Sequence, residues 1–92
     1  MTSAEAWKTQ FFDWPDTIPR RGILLTVLNE SMPFKNFWLN GDMLLLERTT
    51  PDALGGRFII LSLDIVNSLK FIDPISEASI AEAGFVGQLA PV

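Results

Sequence analysis

Residues 34–48 read Phe34-Lys-Asn-Phe-Trp-Leu-Asn-Gly-Asp-Met-Leu-Leu-Leu-Glu-Arg48. Two β-favouring apolar runs flank Asn40-Gly41, a strong signal for a two-residue hairpin of type I′. The reading predicts one strand from Phe34 to Leu39 and another from Met43 to Arg48. In the first, the period of two puts Phe34, Asn36 and Trp38 on one face and Lys35, Phe37 and Leu39 on the other. The second is apolar on both faces.

On the N-terminal side, Gly22 opens Ile-Leu-Leu-Thr-Val-Leu28, a further β-rich run that is apolar on both faces. Asn29-Glu30-Ser31 predicts the turn that joins it to the hairpin. On the C-terminal side, Pro51-Asp52 and Gly55-Gly56 mark residues 49–56 as a loop. Arg57 to Leu63 predicts a fourth strand, Asp64 to Asn67 a single helical turn capped by Asp64, and Ser68 to Ile72 a short fifth strand. All the strands fall within residues 20–72.

Helices are expected only at the two ends. Thr2-x-x-Glu5 is a capping-box pattern opening a helix over residues 3–14, ended by Pro15. Ala4, Trp7, Phe11 and Trp14 recur at steps of three and four and share one face. So short a helix is marginal alone in water, so its aromatic face must dock, and the sheet is the expected partner. A membrane-surface anchor would be rich in Lys and Arg on the polar face, where this helix has Lys8 alone. Asp73-Pro74 predicts a second helix over residues 74–83, with Asp73 as N-cap and Pro74 in the first turn. Gly84 sits where a left-handed residue closes a helix, with Phe85 returning onto Ile80. Residues 86–92 read as a loose tail.

These elements make one mainly β domain over residues 1–92, a five-stranded, strongly bent antiparallel sheet or small barrel with a terminal helix at each end. Strands one, three and four are apolar on both faces, whereas a lone antiparallel sheet alternates. Two ten-residue helices do not cover three such strands. The chain is therefore expected to associate with itself as a homo-oligomer, and open strand edges favour the same outcome.

The element order, with one helical turn before the last strand, resembles the Sm-like fold of Sm, Lsm and bacterial Hfq proteins; an SH3-like barrel fits the same pattern. The local match is Phe58-Ile-Ile-Leu-Ser-Leu-Asp-Ile-Val-Asn-Ser-Leu69, similar to the second Sm motif, with Val66-x-x-Leu69 in place of its Ile-x-x-Ile. Leu28 through Leu46 is loosely similar to the first. The likeness covers about residues 20–72. It implies rings or dimers joined through strands four and five, with Phe58, Ile60, Leu61, Leu69 and Phe71 as the candidate subunit interface. It does not carry RNA binding over. The family's Asp-x-x-Met-Asn is absent, Asn40-Gly41-Asp42-Met43 standing in that turn, and its Arg-Gly would fall on Ser62-Leu63. Ile18-Pro-Arg-Arg-Gly22 and Leu46-Glu-Arg-Thr-Thr-Pro-Asp-Ala53 also resemble a group of small bacterial proteins of planctomycetes, a likeness that brings no activity with it.

Composition narrows the function classes. The chain of 92 residues has 48% hydrophobic residues, enough for a packed core and too many for a disordered chain. It contains no Cys, His or Tyr, which removes disulfides, thiolate metal sites and the commonest general acid–base group. No Ser or Thr therefore has a histidine base. Carboxylates are scattered singly, and Gly55-Gly56 is not followed by a phosphate-loop Lys-Ser/Thr pair. The expectation is a non-enzyme with no cofactor and no metal, cytoplasmic, with no membrane span. The net charge is -4: Lys8 stands against Glu5, Asp13 and Asp16 at one end, Glu77 and Glu82 stand unopposed at the other, and residues 20–73 balance. Nucleic acid needs clustered cations, so it is disfavoured as a partner.

Three local features carry alternative readings. Arg20, Arg21 and Arg57 are the candidate anion or nucleic-acid contacts. Phe34, Phe37 and Trp38 read as core and interface, with base stacking as the alternative. Glu47, Arg48 and Arg57 flank a loop that is either a solvated hairpin or a binding loop on a rigid scaffold. A small apolar ligand held beneath Trp7, Phe11 and Trp14 is a further functional alternative.

Overall fold

A computed structural model describes residues 2–87. The expected tail at 86–92 therefore lies mostly outside the described residues. The order is α1 (Ser3–Phe12), β1 (Gly22–Thr26), β2 (Ser31–Asn40), β3 (Met43–Arg48), β4 (Phe58–Ser62), a 3-10 turn (Leu63–Ile65), β5 (Val66–Lys70) and α2 (Glu77–Glu82). The strands form one antiparallel sheet in the order β4-β3-β2-β1-β5. The sheet is not closed, so among the described residues β4 and β5 each present a free edge.

The core lies on one face of this sheet, beneath α1. Leu24, Met32, Phe34, Phe37, Leu44, Leu46, Leu61, Leu63 and Val66 pack there against Ala4 and Phe11 of the helix. The helix begins as its sequence demands: the Thr2 hydroxyl accepts the Glu5 N–H at 3.1 Å. It stops at Phe12 rather than continuing to residue 14. Asp13 N–H bonds the Thr9 carbonyl and Trp14 N–H turns back to Phe11, a tightened last turn before Pro15.

β2 departs most from its expected reading. It starts at Ser31, earlier than Phe34, and runs through Pro33. The proline has no N–H for the ladder, but its carbonyl accepts from Thr49 N–H at 3.1 Å. A bulge then interrupts the register, because Phe34 pairs with Arg48 and Asn36 with Glu47, leaving Lys35 as the extra residue. The bulge moves Phe34 and Phe37 onto the same face, where both are fully buried, instead of the opposite faces that strict alternation predicts. Trp38 is turned to the outer face. The hairpin loop is also displaced. Asn40 pairs with Met43, so Gly41-Asp42 is the two-residue turn, and of these only Gly41 has positive φ. That is the pattern of a type II′ turn, not type I′.

Other boundaries shift for local reasons. β1 ends at Thr26 because the Thr26 hydroxyl accepts the N–H groups of Leu28 and Glu30 and holds the following turn. Asn29 takes positive φ there. The 3-10 turn is capped by the Ser62 hydroxyl, which accepts Asp64 N–H; Asp64 itself is not the cap. β5 runs Val66–Lys70, two residues earlier than expected, which leaves Phe71 beyond the strand. α2 is shorter than residues 74–83 because Ser76, not Asp73, is its N-cap. Its C-terminal end is as expected. Gly84 has φ 95°, Gly84 N–H bonds the Ala81 carbonyl and Phe85 N–H the Ile80 carbonyl, a complete Schellman closure.

Candidate functional site

The uncovered face of the sheet is built by period-two alternation. Leu44 and Leu46 of β3 point into the core, so Met43, Leu45 and Glu47 point out. Cross-strand pairing aligns Trp38 with Leu45 and Leu45 with Ile60, and sets Phe58 opposite Glu47. Trp38 and Phe58 meet with ring centroids 6.2 Å apart. Phe58 remains 55% exposed, Ile60 65% and Trp38 44%, so this apolar row is not shielded by the protein's own helices. It runs to the free edge of β4, whose sequence Phe-Ile-Ile-Leu-Ser carries no charge and no proline to discourage pairing.

The expected interface residues therefore separate. Phe58 and Ile60 are exposed on this face. Leu61 points inward and is a core residue, 5% exposed, so its side chain is closed to a neighbour. Leu69 packs against the core from β5, and Phe71 stands beyond that strand beside Trp14.

A second feature opens where α1, β5 and α2 converge. A groove of about 580 Å³ is walled by Trp7, Trp14, Ile18, Leu69, Phe71, Ile75, Ile80 and Phe85, with no charged side chain in its lining. Trp14 is held in place: its indole Nε1–H donates to the Ile18 carbonyl at 2.9 Å, and its ring packs on Phe71. Phe11 does not line the groove. It is buried in the core, where its ring meets Phe37 edge-on at 5.0 Å. Hydroxyls fasten α2 beside the groove. Ser76 Oγ–H donates to Ser79 Oγ, which lies 2.7 Å from Thr17 Oγ1, and Thr17 donates to the Glu82 carboxylate. Each hydroxyl in that chain gives one hydrogen and accepts one, so buried Ser79 is satisfied when it donates to Thr17. No spacing signal links Thr17 to Ser79 in the sequence.

The three candidate arginines have different surroundings and share no cavity. Arg20 lies over the Phe37 ring at 3.7 Å and donates to the Phe37 carbonyl and to Asn36 Oδ1. Partial burial pushes its guanidinium below the ordinary value, against the opposing pull of Asp16. Arg21 makes a two-pronged ion pair with Asp73, Nε to Oδ2 at 2.9 Å and Nη2 to Oδ1 at 2.6 Å. That contact raises Arg21 and holds the Asp73 carboxyl below its usual range. Arg57 instead borders a small cavity at the β3–β4 loop, together with Lys35 and Arg48. Phe34 and Phe37 are buried in the core and present no face for a base to stack on.

The loop closed by that cavity is ordered by Asp52. Its Oδ1 accepts the N–H groups of Leu54 and Gly56, which hold its carboxyl below the usual range, aided by the Arg48 charge. A Cβ added at Gly56 would fall 2.6 Å from Asp52 Oδ2, so a larger residue there would displace the Asp52 side chain. Among the described residues no three carboxylates gather as a metal site, and no helix is long and apolar enough to cross a membrane. No family model, curated protein or solved structure is significantly similar to the chain.

Proposed function

We propose that this chain is a non-catalytic interaction or scaffold module of the Sm-like small-barrel kind, working as a homo-oligomer joined through the free edge of β4. One observation carries the reading: Trp38, Phe58 and Ile60 form an exposed apolar row that ends at an uncharged, unprotected edge strand. Burying such a row against a second copy removes it from water, and edge pairing satisfies the open backbone groups of β4 at the same time. The strand order β4-β3-β2-β1-β5 and the 3-10 turn before β5 support the Sm-like assignment, in which β5 of one copy receives β4 of the next. The test is the mass in solution by sedimentation. A multiple of the 10.3 kDa chain at micromolar concentration supports the module, and a monomer at every accessible concentration removes it.

A second reading rests on the groove beside α1. Its volume of about 580 Å³ lies in the range of small-molecule sites, and its uncharged walls suit an aliphatic or aromatic ligand without formal charge. Such a ligand stabilises the fold by mass action. An uncharged alkyl alcohol that raises the melting temperature of the wild type, and not of Ile80→Glu, supports this reading; identical flat responses reject it.

A further inference from the structure

Seven cations stand in a chain of net charge -4, and three of them, Lys35, Arg48 and Arg57, line one cavity of about 140 Å³ at the mouth of the β3–β4 loop. Glu47, Thr49 and Pro51 complete the wall. The ion pairing is loose. Lys35 Nζ is 3.8 Å from Glu47 Oε2, and among the described residues neither Arg48 nor Arg57 is in an ion pair. Arg48 Nε is buried and has no hydrogen-bond acceptor. A buried guanidinium N–H without a partner is costly. Asp52 does not supply one: Arg48 Nε bonds neither of its carboxylate oxygens, although the Arg48 charge acts on that carboxyl, and Oδ1 accepts from two loop N–H groups.

We infer that this cavity binds a tetrahedral oxyanion, a phosphate or the phosphate end of a phosphomonoester. The bulge at Lys35 and the Arg48–Arg57 backbone bond, 2.7 Å from N to O, hold β2, β3 and β4 so that all three cations border one space. That space equals four to five waters at ~30 Å³ each, room for four oxygens about one centre. A guanidinium fork and an ammonium match such an ion through charge-assisted hydrogen bonds, and the Thr49 hydroxyl is a further donor. Glu47 opposes the ion and Asp52 adds negative charge nearby, so binding is moderate and the Glu47 carboxylate limits it. The site adjoins the apolar row at Glu47, but none of Trp38, Phe58 and Ile60 lines it and it shares no residue with the groove, so its failure leaves the subunit reading standing.

The test is a titration of the full chain with sodium phosphate, followed by amide NMR shifts, against sodium chloride at equal ionic strength. Saturable shifts confined to Lys35, Glu47–Thr49 and Arg57 are expected with phosphate alone. Arg57→Gln, at the cavity rim, weakens the affinity by about ten- to a hundredfold, the usual worth of a charged hydrogen bond. Arg48→Gln does the same. Glu47→Gln strengthens binding several-fold, a change of sign that a purely structural role does not produce. A parallel titration with glycerol 3-phosphate distinguishes the sources: binding of both assigns a phosphomonoester, and binding of inorganic phosphate alone assigns the free ion. Shifts equal to those of chloride, or affinity unchanged in both arginine variants, overturn the site.

Discussion

Replacing Ile60 by lysine tests the subunit reading at its centre. Ile60 is 65% exposed on the outer face of β4, so the substitution leaves the core intact. Its effect on the isolated fold should stay within ~0.5 kcal/mol, as for ordinary surface changes. Its effect on association is larger. Fully burying an isoleucine side chain is worth about 1.5–3 kcal/mol, and about two thirds of that remains to be gained at Ile60, or ~1–2 kcal/mol per copy. In a two-fold dimer both copies lose it, ~2–4 kcal/mol, which weakens the dimer by roughly thirty- to a thousandfold. In a ring each interface holds one Ile60, and the loss per contact is roughly five- to thirtyfold. Sedimentation equilibrium across a concentration series reads the difference, and far-UV circular dichroism verifies the fold. A wild type that stays monomeric at ~100 μM, or an Ile60→Lys chain that associates as the wild type does, refutes the reasoning, because typical specific interfaces lie well below that concentration.

Three further outcomes follow from single contacts. Thr26→Val keeps the volume of a fully buried side chain but removes the oxygen that accepts from Leu28 and Glu30 N–H, so chemical denaturation should show a loss of about 1–3 kcal/mol. Gly22→Ala places a Cβ 2.6 Å from the Lys70 carbonyl oxygen, a backbone atom in the β1–β5 ladder, and should cost about 1–3 kcal/mol with faster amide exchange along β5. Arg21 holds the Asp73 carboxyl below its usual range, and loop N–H groups do the same for Asp52. Their stabilisation is complete above the unfolded value of about pH 4 and fades as pH falls through the lower folded values. The melting temperature should therefore drop on acidification below about pH 4, and less steeply in Asp73→Asn; parallel profiles would show that the pair carries no linkage.

Much of the fold is legible in the sequence because its signals are local. The runs at 22–28, 34–39 and 43–48, the breakers at 49–56 and the Gly84 closure each depend on neighbours a few residues away, and each marks an element in the structure. The surplus of apolar strand positions is legible in part: Phe58 and Ile60 are outward residues of β4, whose Leu61 faces the core, whereas the outward turn of Trp38 depends on the bulge in β2. The bulge at Lys35 is not legible. It arises where β2, paired with β1 at one end and β3 at the other, must serve two registers. Period counting across it puts Phe37 on the wrong face.

The chain's own sequence determined an all-antiparallel β domain with a capped helix at each end, no nucleophile–histidine chemistry and more apolar strand surface than two short helices shield. Tertiary structure alone decided which edges stay open, that Arg21 reaches Asp73, that Thr17 and Ser79 fasten α2 beside a groove, and that Lys35, Arg48 and Arg57 border one cavity. The division has a physical cause. Caps, turns and alternation are set by forces acting within a few residues, whereas partners far apart in the chain meet only after strand pairing has chosen a register and brought them together.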